Sequence, residues 1–262
     1  MPPAHLLDHL SLSSVFIGSM VLIMLAMETG FRLAEWRRRG SMVEKDSPVG
    51  SVVAATLALV GFILAMTYGV AVNRFEARQQ AMLDEVNAVS TMYLRASFLP
   101  EVQAAETRTL LREYVDVRLK APASGALAEA IKRSEELHRS LWSTLLTVNE
   151  QARNSISVGL FIQTLNEVID LHEKRVNVGL RMRIPPIVWL VLYAIALLGM
   201  GEIGYQTALS GSSRTPASLG LVASFAILLS LLVDLDRPQE GMLRVSPKAL
   251  QELGEAIRSE VG

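Results

Sequence analysis

The side chains of this sequence that could do chemistry are few and scattered. His5 and His9 stand four residues apart, the spacing at which two imidazoles share one helix face and could share a metal. No nearby carboxylate completes a three-ligand site, so a solvated N-terminal turn is expected there. Gly199-Met200-Gly201-Glu202-Ile203-Gly204 has the spacing of a dinucleotide-binding fingerprint, but that motif needs a strand before it and a helix after it. Here it closes a long apolar run and is rejected. The absence of cysteine removes thiolate metal sites, disulfides and cysteine nucleophiles together. No nucleophile elbow, phosphate-cradling loop or paired-histidine zinc helix is found. The expectation is therefore that the chain is not an enzyme, with no cofactor and no metal site.

The remaining polar candidates favour ion pairing. Asp234 and Asp236 are too few for a hard cation, which takes six or so oxygen ligands. Near a membrane boundary carboxylates are costly unless paired, so partners are expected in Arg237 or an arginine of the central helices. Asn166, Glu167, Asp170 and Lys174 fall at spacings of three and four, and Asp170 before Lys174 is the favourable order for a helical ion pair. They read as a solvated or inter-helix polar face. Glu28 and Glu202 lie at the ends of apolar runs, where interfacial water can hold them.

The elements that would position these groups are membrane helices. Half of the 262 residues are hydrophobic, 19% are charged and the mean hydropathy is +0.33, a balance unlike that of a soluble domain. A net charge of -1 supplies no basic field, which excludes nucleic acid as a partner. Four runs approach the roughly 20 residues that cross a bilayer: residues 10 to 27, 49 to 72, 184 to 200, and a fourth opening at Thr215-Pro216 and ending at Asp234-Leu235-Asp236-Arg237-Pro238. The first lacks a cleavage signature and is expected to be retained. Ser47-Pro48 caps the second. The third begins at Ile184-Pro185-Pro186 and forms a hairpin with the fourth.

Between the second and third runs no segment can cross a bilayer. Apolar residues recur there at helical spacing, predicting helices at 74–98, 102–119, 126–149 and 155–180, the first and last continuous with the adjoining spans. Pro100 and residues 121–125 punctuate them, and a short helix after Ser246-Pro247 turns Leu250, Leu253 and Ile257 to one side. The expected fold class is all-α, an integral membrane protein with four transmembrane helices and a soluble helical region inserted between the second and third. The expected divisions are 1–72, a transmembrane pair with an Arg-rich loop; 73–183, the soluble helices; 184–236, the second pair; and 237–262, a tail with a short helix.

The second run carries the most pattern. Gly61, Ala65 and Gly69 recur every fourth residue and make a strip for helix packing. Elsewhere on the same wheel lie Thr56, Ile63, Thr67, Val70 and Arg74, which in a ring of such helices would line a pore with an aliphatic constriction and an arginine mouth. The competing expectation is that this stripe meets lipid.

Runs from this point onward resemble a bacterial family of bestrophin-like membrane proteins. They are Gly61-Phe62-Ile63-Leu64-Ala65-Met66-Thr67-Tyr68, Arg74-Phe75-Glu76-Ala77-Arg78, Asp84-Glu85-Val86-Asn87-Ala88 and Tyr93-Leu94-Arg95, then Leu110-Leu111-Arg112-Glu113-Tyr114-Val115, Leu165-Asn166-Glu167-Val168-Ile169-Asp170, Arg183-Ile184-Pro185-Pro186 and the Asp234 to Pro238 run. Arg78, Glu85, Asn87, Asn166, Glu167, Asp170, Asp234, Asp236 and Arg237 are the polar residues of these motifs. Bestrophins are pentameric channels with four membrane helices, a cytosolic helical region and a pore lined by the second helix. The resemblance implies those roles here, in a bacterial inner membrane. The acidic cluster that holds calcium in animal bestrophins is reduced to Asp234 and Asp236, so calcium gating is not implied.

Orientation follows from charge. Nine Lys or Arg near the spans (Arg74, Arg78, Lys174, Arg175, Arg181, Arg183, Arg237, Arg244, Lys248) share a side with the central helices, against six opposite (Arg32, Arg37, Arg38, Arg39, Lys45, Arg214). The excess favours a cytoplasmic helical region. The expected function is an oligomeric channel for small inorganic ions, whose partners are the bilayer, further copies of itself as a pentamer, and the ions. The alternative is a membrane-anchored scaffold or sensor that binds a protein.

Overall fold

A computed structural model describes residues 10–39, 49–124, 126–149, 154–211, 216–237 and 241–259. The expectations for His5, His9, Ser47-Pro48 and Arg214 lie outside them. Among the described residues the chain is all-α, without strands, and four helices are long and apolar enough to cross a membrane. The protein is an integral membrane protein.

Among the described residues the α-helices are, in order, α1 (Leu12–Arg39), α2 (Val49–Arg95), α3 (Glu101–Ser124), α4 (Leu127–Leu146), α5 (Ile156–Val176), α6 (Pro186–Leu209), α7 (Pro216–Asp236) and α8 (Lys248–Ser259). They form two compact units. One comprises Met1–Phe75 and Arg183–Arg244; the other Glu76–Met182 and Val245–Gly262. As periodicity predicts, α2 runs unbroken from its apolar half into the second unit.

Prolines set the stops. Leu99, just before Pro100, is extended at φ -81 and ψ 157, because the proline ring disfavours helical geometry at the preceding residue. The same rule corrects one expectation. The last central helix does not run into the third span: α5 gives way to a π turn at Asn177–Arg181 and then to four non-helical residues, 182–185. Pro185 is extended, at φ -56 and ψ 142, and Pro186 can then open α6, where its missing N–H costs nothing.

In the membrane unit, α1 and α6 touch backbone to backbone. A Cβ on Gly204 would overlap the Met27 carbonyl, and one on Gly30 would overlap that of Gly201. Gly199 lies against α2, with Thr56 and Val60 methyl groups 3.5 Å from where its Cβ would be. The glycines that imitate a nucleotide fingerprint are therefore helix-packing residues. Ser19 and Tyr193 hydroxyls add a 2.7 Å hydrogen bond between α1 and α6. The Arg-rich segment after the first span is partly helix: Arg37 donates to the Tyr205 hydroxyl and Arg38 to the Ala208 carbonyl, both at 3.1 Å, at the end of α1 where the dipole favours cations.

The helical unit has its own apolar core, including Met92, Leu111, Leu137, Leu141, Phe161 and Leu165. Helix α8 closes it with Leu250, Leu253 and Ile257, the face its spacing predicts.

Candidate functional site

In the apolar half of α2, one stripe is buried within the membrane unit: Val53, then Val60, Leu64, Thr67 and Ala71 at spacings of three and four. This inward stripe takes three of the five candidate pore residues. Thr56 packs on Gly199, Ile63 joins the apolar core of its own unit, and Thr67 is only 6% exposed, its hydroxyl donating to the Ile63 carbonyl at 2.8 Å. A threonine that bonds its own helix needs no water, which is why the hydroxyl stripe can face the bundle. Val70 is exposed. It continues a second stripe through Phe62 and Met66, 68% and 64% exposed, at spacings of four. Beside that stripe, a Cβ on Gly61 or Gly69 would meet nothing within 4 Å, and Ala65 is exposed. The small-residue strip has no partner in its own chain among the described residues.

Arg74, at the end of this half, is half-buried, with Nη1 3.9 Å from Asp236 Oδ1. Asp236 is the hub of the break before α6. Its Oδ1 accepts the Ile184 N–H at 2.9 Å and its Oδ2 accepts Arg183 Nε at 3.1 Å. The proline pair that interrupts the helix leaves the Ile184 N–H without a helical acceptor, and this carboxylate replaces it. Asp234 does similar work: its oxygens accept the N–H groups of Met242 and Leu243 at 2.9 and 3.1 Å. Gly241, at φ +133, allows that approach, since a Cβ there would overlap the Asp234 carboxylate. Arg237 is buried, and its Nη2 donates to the Leu10 carbonyl at 2.5 Å. The acidic pair staples backbone.

The helical unit holds a buried charge cluster that sequence reasoning did not assemble. Glu85 of α2 is 3% exposed. One oxygen accepts the Tyr114 hydroxyl of α3 and lies 3.6 Å from His172 Nδ1 of α5, and the other faces Arg175 Nε at 2.6 Å and Arg118 Nη2 at 3.5 Å. The Tyr114 hydroxyl also lies 3.1 Å from His172 Nδ1, and His138 of α4 stacks near both rings, at 5.2 and 5.0 Å between centroids. Burial alone would raise the Glu85 carboxyl; His172, the two guanidinium groups and the Tyr114 hydroxyl outweigh it and hold it at about 2. Burial pushes the Tyr114 phenol well above its usual value, with the Glu85 charge adding to it. Burial, reinforced by His172, lowers His138 to about 4.

Other motif residues do not gather here. Asn87, Asn166, Glu167 and Asp170 lie on exposed faces, and Arg78 is buried. Lys174 pairs with Asp84 at 3.2 Å rather than with Asp170. Of the cluster, Glu85 alone is among the polar motif residues named from sequence; Tyr114 lies in another motif run, and Arg175 counts there only towards orientation. Tyr114 with Arg118, and His172 with Arg175, do recur at spacings of four and three, but helical pairs of this kind are too common to mark a site.

Residues 17–250 match the family model of the Bestrophin-like domain. The chain is similar in structure to mutant forms of a bacterial bestrophin homologue from Klebsiella pneumoniae. One superposes with a TM-score of 0.67 at 14% identity, covering 94% of this chain and 99% of that one. A second gives 0.68 at 14%, covering 94% and 97%, and a third 0.64 at 16%, covering 97% of each. A comparison with curated proteins found no match.

Proposed function

The chain belongs to the bestrophin-like family, and from that premise we propose that it is an oligomeric channel for small inorganic ions, with its pore lined by α2. The observation that carries this reading is the two-sidedness of the helix. One stripe of its apolar half is buried in its own unit, while Phe62, Met66 and Val70 are left uncovered in a row. Copies arranged around an axis would turn that row inward, as an apolar constriction. The adjacent strip of Gly61, Ala65 and Gly69 would let a neighbouring copy approach closely. This moves the constriction from Ile63 to Phe62 and Met66, one residue round the helix from the stripe expected from sequence. Arg74, held by Asp236, braces the end of the apolar half of α2.

We further infer a pentamer in a bacterial inner membrane, with the helical region cytoplasmic on the excess of Lys and Arg near that side. The test is ion flux through purified protein in liposomes, with potassium, sodium and chloride gradients applied separately and oligomer mass measured on the same sample. Flux that rises several-fold in Met66→Ala and Phe62→Ala supports the reading. Sealed liposomes containing correctly assembled protein refute it and favour a membrane-anchored scaffold.

A further inference from the structure

The membrane unit contains a cavity of about 620 Å³ between α1, α6 and α7, within the roughly 300–1,000 Å³ typical of small-molecule sites. Its origin lies in the glycine contacts. Gly30, Gly201 and Gly204 draw α1 and α6 together, α7 also packs on α1, and the cavity remains beside the start of α7. Met24, Met27, Phe31, Ile203, Leu221 and Val222 give it apolar walls.

One end is polar. Glu28 borders the cavity and pairs with Arg32 at 2.7 Å; Arg32 is exposed and Glu28 partly so. The first turn of α7, Pro216 to Leu219, lines the same cavity and presents the positive end of a 21-residue helix dipole. The neighbouring faces of the spans are apolar and exposed, among them Leu25 on α1 and Ile227 and Leu228 on α7. These faces belong to α1 and α7, away from the α2 row proposed to line the pore, and are taken to meet hydrocarbon, so the bilayer supplies what reaches the opening.

We infer that this cavity binds an acyl chain of a phospholipid whose headgroup carries both an ammonium and a phosphate, the ammonium on Glu28 and the phosphate between Arg32 and the start of α7. The apolar walls take the chain as they would any hydrocarbon. The paired carboxylate and guanidinium match a zwitterionic headgroup charge for charge, whereas a purely anionic headgroup would leave Glu28 facing like charge. The flexible thioethers of Met24 and Met27 suit a chain of no fixed shape.

The test is native mass spectrometry of the purified full chain in mild detergent, delipidated and then supplied with dioleoyl-phosphatidylethanolamine or dioleoyl-phosphatidylglycerol. The wild type is expected to retain one phosphatidylethanolamine per chain, and at least tenfold less phosphatidylglycerol. Leu219→Trp and Ala217→Phe, which enter the cavity from exposed positions, are expected to cut retention about tenfold. Ile227→Trp, exposed on the same helix outside the cavity, should not change it, and Glu28→Gln should abolish the preference between the two lipids. Unfolding midpoints of all variants, read alongside, separate lost binding from lost fold. Retention of no lipid by the wild type overturns the inference. So does undiminished retention in either folded filling variant, or equal retention of the two lipids.

Discussion

Glu85→Gln tests the buried cluster most directly, because it removes one charge and almost no volume. Glu85 is 3% exposed and is the carboxylate that faces both Arg118, 6% exposed, and Arg175, at 3.5 and 2.6 Å. Removing one partner from a buried pair typically costs about 3–5 kcal/mol, since the remaining charge is left unpaired away from water. Linkage gives a similar figure. A carboxyl held at about 2, against an ordinary 4.5, contributes on the order of 3 kcal/mol at neutral pH. The sign follows from the depressed value: the contribution is complete above about pH 4.5 and is lost as pH falls through about 2. Chemical unfolding in detergent, followed by amide exchange within α2, α3 and α5, should show Glu85→Gln less stable by about 3 kcal/mol at pH 7, the gap narrowing towards pH 3. Asp84→Asn, which breaks the exposed pair with Lys174, is the control and should cost under about 1 kcal/mol. A Glu85→Gln protein no less stable than Asp84→Asn at pH 7 would sink the argument that this carboxylate balances the two arginines.

His138 should make the same unit acid-sensitive at higher pH. Its folded value, about 4, lies below the ordinary 6.5, so the neutral ring contributes stability above pH 6.5 that is lost between about 6.5 and 4. His138→Gln should flatten the fall in unfolding free energy between pH 7 and pH 5, and an unchanged slope counts against the buried neutral ring. Asp236→Ala removes the acceptor of Ile184 and the partner of Arg183, and should destabilise the membrane unit by about 3 kcal/mol, read by thermal unfolding; an effect below about 1 kcal/mol would refute its bracing role. Gly204→Val places a side chain into the Met27 carbonyl, so purified yield should collapse, while Gly220→Val, with open space around its Cβ, should be tolerated.

The spans and their stops were legible because they depend on local rules. Length and apolar composition locate four membrane helices, and a proline dictates the geometry of the residue before it, at Leu99 and again ahead of Pro186. Which partner a face meets was less legible. Periodicity places Thr56, Ile63 and Thr67 on one stripe but is silent on whether that stripe looks into its own chain or towards an axis, and the Thr67 hydroxyl, satisfied by its own helix, removes the cue that polarity would have given. Helical spacing offered Asp170 to Lys174, and a neighbouring helix offered Asp84 instead. The Glu85 cluster draws on four helices, so no single stretch of sequence contains it. Glycine gives the clearest instance of the divide. A spacing of small residues says that two backbones approach, and it appears twice: Gly201 and Gly204 find Gly30 and Met27 of their own chain, whereas Gly61 and Gly69 find nothing within 4 Å. One physical rule operates at both places. That contrast makes the α1–α6 contact part of the chain's own fold and leaves the α2 strip without a partner among the described residues, which is what the proposed contact between copies would supply.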